Sequence, residues 1–284
     1  MLFVPQLFTG HRGQNTSGLS PRLWAKVYSS VMAPDGGERL VFVGDDFLAP
    51  KNADTYTDLY SEMGYTSYID TGGTLTGLVD EECGVLALTT DGTDEDEIWL
   101  SSGDGTSVLG RISDTAGQDY LTVFEARYKV NTIADAAMSH FVGLAKPGLA
   151  GAETVVDDTG ALKADSDFIG FRTLLDGNSI DFVYQKGSAA VQNKITGAHV
   201  PVADDFVKLG FIYDPAAPSA KRIKVFVNNV EQSTYVTAAN IAAATFPDAV
   251  MLAFLAGFKN TTAVAAELAI DWWAFAQIIK PATN

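Results

Sequence analysis

Side chains able to do chemistry are few in this sequence and widely spaced. The densest group is Asp94-Glu95-Asp96-Glu97, followed by Ile98-Trp99-Leu100. Adjacent carboxylates invite calcium, but the EF-hand pattern with its central glycine and distal glutamate is missing, and a solvated, self-repelling loop accounts for the run without a metal. His11, His140 and His199 are scattered, and no Ser, His and Asp order can be assembled around them. Cys83 is the only cysteine, so no intrachain disulfide exists, and Glu81 and Glu82 beside it would raise its thiol pKa rather than activate it. No catalytic residue, metal ligand or cofactor is therefore assigned.

Aromatic side chains are the other candidates. Tyr56, Tyr60, Tyr65 and Tyr68 fall in the Tyr-, Thr-, Ser- and Gly-rich stretch 51–73, which reads as a loop. Their faces could stack on the apolar surface of a sugar as a binding platform. Covering an edge of the domain is the competing and favoured use, since single exposed aromatics are normal.

Bulk properties narrow the partners. The 284-residue chain is 47% hydrophobic and 19% charged, enough to bury a large core. A formal charge of −16 repels phosphate backbones and anionic lipid, so neither nucleic acid nor a membrane surface is an expected partner. No apolar run reaches the eighteen or so residues of a membrane-spanning helix, and the first eight residues lack the basic start and long apolar core of a signal peptide. Mature protein is the expectation for that start.

The elements that must position these residues are strands. From residue 40 onward, apolar stretches of strand length recur between turn signals with no helix-period segment of convincing length, which predicts about a dozen strands in one sandwich. Residues 40–47 and 268–277 are expected to pair as the first and last strands. Residues 138–145 give another strand, residues 168–173 and 180–185 a hairpin, and residues 206–213 and 222–228 a pair, after which Asn228-Asn229 turns the chain. Residues 236–245 are alanine-rich and predict a short helix. Residues 1–38 are too broken to hold a core. They form either an arm that docks on a neighbouring subunit, through Phe3, Phe8, Trp24 and Tyr28, or a leader packed along its own domain. If that stretch is helical, Trp24 and Tyr28, four positions apart, share a face. The division is an arm, 1–38, and a domain, 39–284.

Asp45-Asp46-Phe47, the strand Phe124-Glu125-Ala126-Arg127-Tyr128-Lys129 leading to Phe141-Val142-Gly143-Leu144-Ala145, the pair Lys208-Leu209-Gly210-Phe211 and Val225-Phe226-Val227-Asn228, and the closing Asp271-Trp272-Trp273-Ala274-Phe275-Ala276-Gln277 follow one another in a telling order. That order resembles the concanavalin A-like jelly roll of laminin-G-like modules, legume-type lectins and family 16 glycanases. The resemblance implies an all-β sandwich of two antiparallel sheets. In it, Asp45 and Asp271 are expected to hydrogen-bond loops at the sheet edge, while Phe47, Trp272 and Trp273 anchor the closing strands. A family 16 glycanase would carry alternating Glu, Asp and Glu with two carboxyls about 5 to 5.5 Å apart. Glu95 and Glu97 alternate, but Trp99 stands where a third acid would follow, so the protein is read as non-enzymatic.

Leu23-Trp24, the Pro34-Asp35-Gly36-Gly37 turn, Asp45-Asp46-Phe47 and the terminal Asp271-Trp272-Trp273 also look like virion structural proteins of tailed phages. That likeness implies a homo-oligomeric protein at the capsid surface that decorates or cements the shell by binding the major capsid protein and copies of itself. A lectin-like module binding surface glycans is the alternative.

Overall fold

In β7 (Leu121–Val130) the side chains alternate: Phe124, Ala126, Tyr128 and Val130 are buried between two sheets, while Glu125, Arg127 and Lys129 belong to the opposite face. The same period-2 logic builds the rest of the protein. The computed structural model describes residues 18–32, 38–47, 64–78, 84–103, 105–133, 138–152, 155–157, 160–163, 165–173 and 178–279.

The first sheet joins β1 (Arg39–Asp45), β3 (Thr74–Gly77), β4 (Leu86–Thr89), β7, β12 (Val207–Tyr213), β13 (Ile223–Val227), β14 (Val230–Val236) and β16 (Glu267–Ile279). The second joins β2 (Tyr65–Ile69), β5 (Glu97–Ser102), β6 (Gly110–Arg111), β8 (Met138–Ala145), β9 (Phe168–Thr173), β10 (Ile180–Gln185), β11 (Gln192–His199) and β15 (Met251–Asn260). The described strand pairings are antiparallel. As expected, β1 and β16 are neighbours, with Arg39 opposite Ile279 and Asp45 opposite Trp273. The β9–β10 hairpin, the β12–β13 pair and the two-residue Asn228-Asn229 turn into β14 also form, the asparagines at φ 46° and 66°. The alanine-rich stretch yields one short helix, α2 (Ala238–Ile241), capped by Thr237.

The core between the sheets is aromatic. Trp273 stacks on Phe254 at 4.5 Å, and Phe124 packs against both Phe254 and Phe211. Each such side chain contributes on the order of 2 kcal/mol by leaving water. His140, at the base, bridges the layers: its Nε2 lies 3.2 Å from the Tyr128 hydroxyl and its Nδ1 3.1 Å from Thr173 Oγ1. Full burial lowers its pKa to about 3, which keeps the imidazole neutral.

One bulge sets the closing strand. Leu268 and Ile270 of β16 face the inter-sheet core, and so do Trp273 and Phe275, a change from even to odd positions. The register against β7 slips between Ile270 and Trp272, so Asp271 is the extra residue that changes the parity. Trp272 thereby faces outward and Trp273 inward, both buried.

Part of each outer face is covered. Over the first sheet lies α1 (Pro21–Met32), with proline at its first position, where a missing N–H costs nothing. Leu19, Leu23, Trp24 and Val27 pack on Val123, Ile212, Phe226 and Trp272, and the bare Cα of Gly210 makes room for Leu23. Glu125 fixes the docking through one oxygen, Oε2, which accepts from Ser20 N at 3.0 Å and Trp24 Nε1 at 2.7 Å. Burial raises the Glu125 pKa against the opposing pull of those bonds and of Lys208, whose ammonium donates to Gly18 O. Over the second sheet, Val155 and Val156 pack on Trp99, Phe141, Phe168 and Val183, and Ser139 Oγ donates to Gly160 O at 3.1 Å. Gly143, Gly170 and Gly257 floor that face; a Cβ at Gly257 would stand 2.2 Å from Ile98 O.

Candidate functional site

Among the described residues, the edge strands β1 and β2 leave a depression beside the covered faces. Along one edge of the sandwich, β1 and β5 end and β2 begins beside the middle of β16, and with Gly103 and residues 107–109 they leave a cleft of about 200 Å³. Asp45, Tyr65, Ser102, Ser107 and Trp273 line it, with Val43 and Val108 on its apolar side. Strand pairing assembles it: Asp45 lies opposite Trp273, and Tyr65 opposite Ser102.

A directed hydrogen-bond chain crosses the cleft. Trp273 Nε1 donates to the Tyr65 hydroxyl at 2.8 Å, and that hydroxyl donates to Asp45 Oδ2 at 2.9 Å. Asp45 Oδ1 accepts from Phe47 N at 2.8 Å, which holds Phe47 at φ 48°, a conformation costly for a bulky residue. The rings of Tyr65 and Trp273 are buried and meet edge to face. The cleft therefore presents a half-buried carboxylate, serine hydroxyls and an apolar lip.

The candidate residues scatter. Tyr65 and Tyr68, three apart on β2, face opposite sides of the sheet, so the tyrosine platform does not form from these two; Tyr65 joins the inter-sheet core and Tyr68 packs beside Trp99. Tyr56 and Tyr60 lie outside the described residues, as do Phe3, Phe8, His11 and Cys83. Trp24 is fully buried on its own sheet, with Tyr28 half-buried beside it. Burial, with Glu125 nearby, pushes the Tyr28 phenol up to about 12.

The acidic run is only half a solvated loop. Asp94 and Glu95 are exposed, but Asp96 and Glu97 are buried where β5 begins. Glu97 Oε2 accepts from Trp99 Nε1 at 2.8 Å, so this glutamate orients an aromatic ring. Burial raises the Asp96 pKa to about 6, with help from the adjoining carboxylate of Asp91 and from Asp70. Among the described residues, no three His, Cys, Asp or Glu side chains group to hold a metal ion. Asp271 forms an ion pair with Arg127 of the adjacent strand, and Asp45 bonds the segment after β1.

No protein-family model matches the sequence, and no curated protein does. Solved structures do match. A Shewanella oneidensis MR-1 protein of unknown function superposes with a TM-score of 0.53 at 14% identity, over 97% of this chain and 99% of that one. An endo-1,3-β-glucanase from Streptomyces sioyaensis gives 0.52 at 14% identity, over 88% and 99%. Peanut lectin gives 0.51 at 15% identity, over 86% and 100%. The fold is the concanavalin A-like jelly roll. At such identities the likeness establishes architecture and leaves function to the site.

Proposed function

We propose that this jelly roll is a non-catalytic carbohydrate-binding module that holds a saccharide in the Asp45 cleft. The observation that carries the reading is the cleft itself, where a carboxylate and serine hydroxyls face an apolar lip at the edge of the sandwich. Polar acceptors beside a small apolar wall suit a polyol ring, which has hydroxyls at its edge and C–H groups on its face. Support for a binding rather than a hydrolytic role comes from Glu97, tied to Trp99, and from residues 155–156, which lie across the face beside it. The test is a glycan array followed by calorimetry on the unmodified protein and on Asp45→Ala. Saccharide binding that the variant loses is expected; background signal across the array refutes the proposal.

A second reading, a virion protein that decorates a phage capsid by binding its shell protein and copies of itself, has one support. Val200 and Val202, 59% and 55% exposed, flank Pro201, which lines a surface depression with Ile133. Exposed apolar groups gathered in this way mark protein contacts. On this reading, sedimentation velocity shows self-association that Val200→Asp with Val202→Asp removes; a monomer at every concentration counts against it.

A further inference from the structure

We infer that the cleft selects a terminal amino sugar bearing a free ammonium group. The inference rests on the saccharide reading and adds the ligand's charge and its position in the chain.

Hydrogen-bond direction comes first. A carboxylate offers about four acceptor positions. Asp45 uses one on each oxygen, for Phe47 N and for the Tyr65 hydroxyl. The Tyr65 proton is spent on Asp45, and its oxygen already accepts from Trp273 Nε1. Asp45 thus offers only acceptor positions, and a ligand group that meets it must bring the donors.

Charge comes second. Ion pairs among the described residues include Lys26 with Asp214, Arg127 with Asp271 and Lys224 with Glu231, and Asp45 takes part in none of these. The chain as a whole carries −16, so its field adds to that of Asp45. An acidic sugar is repelled, a neutral one is accepted, and an ammonium group gains a charge-assisted bond about twice as strong as a neutral one.

Size comes third. About 200 Å³ is below the ~300–1,000 Å³ of sites for drug-sized ligands, so one ring fits, as at the end of a glycan.

Calorimetry at low salt with glucosamine, N-acetylglucosamine, glucose and glucuronic acid tests this. Glucosamine is expected to bind about tenfold more tightly than glucose, the difference between charged and neutral hydrogen bonds, and glucuronic acid most weakly. N-acetylglucosamine keeps the ring and removes the charge, so it should fall to the level of glucose. Salt at about 0.5 M should shrink the glucosamine advantage. Asp45→Asn, checked for unchanged melting, should level glucosamine with glucose; if it misfolds, the acetylated ligand and the salt series still decide. Equal affinity for glucosamine and its acetylated form overturns the ammonium preference and leaves the saccharide reading standing. Failure of all four sugars, together with an empty glycan array, overturns both.

Discussion

Asp96 is the most informative group to perturb for stability. Its carboxyl is 6% exposed at the start of β5, and burial beside Asp91 and Asp70 raises its pKa from 3.8 to about 6. In the unfolded chain it ionises near its ordinary value, so between about pH 4 and pH 6 the unfolded state loses its proton while the folded state keeps it. Stability is lost across that window, and the whole penalty is present above pH 6. Each tenfold change in proton affinity is worth about 1.4 kcal/mol, so two such steps give a ceiling near 3 kcal/mol. Asp96 lies close to the surface, where solvent screens it, and Asp91, whose pKa the same contact lowers, returns part of the loss. Asp96→Asn, which does not titrate, should therefore be more stable than the parent by about 1–2 kcal/mol at pH 7.5. Near pH 4 the advantage should vanish. Urea unfolding of both proteins at pH 4, 5, 6 and 7.5 measures this. A difference that stays constant with pH would refute the carboxylate-pair argument.

Two further predictions concern what covers the sheets and what floors them. Glu125→Ala leaves Ser20 N and Trp24 Nε1 without their acceptor and should cost about 2–3 kcal/mol. It should also speed tryptic cleavage after Arg22 or Lys26, and unchanged cleavage with an unchanged urea midpoint would show that α1 does not depend on this contact. Gly257→Ala puts a Cβ 2.2 Å from Ile98 O, both on paired strands, and should exceed the ~1–3 kcal/mol usual for overpacking. Gly64→Ala meets nothing within 4 Å and suffers only from its φ of +80°, about 1 kcal/mol. Equal melting temperatures for the two variants would refute the close-approach account.

How much of this was legible in the sequence depended on whether a strand carries an apolar face. β8 and β12 are buried along their whole length and stand out as apolar runs. β11 and β14 sit at sheet edges with mixed exposure, so Gln192–His199 and Val230–Val236 lack the alternation that marks a strand. β2 is hidden in a stretch whose Tyr, Thr and Ser composition suits a loop as well as an edge, and β5 behind the carboxylates that precede it. The bulge at Asp271 is invisible because Trp272-Trp273 reads as apolar whichever face each ring takes. Asp45 and Trp273 were conspicuous singly, but the cleft has no spacing signature. Residues 45, 65, 102 and 273 meet only after two strand pairings have formed.

The pairing of β1 with β16 also sets how the protein would bear a load. The chain enters β1 at Arg39 and leaves β16 at Ile279, directly opposite one another, while the cleft lies by Asp45 at the far end of that strand pair. Seven residues of strand separate the two ends of β1, about 20 Å. Tension applied directly at Arg39 and Ile279 would open the pair one rung at a time from that end, like a zip, instead of shearing all its hydrogen bonds together. The Asp45–Trp273 rung would be the last of that pair to part.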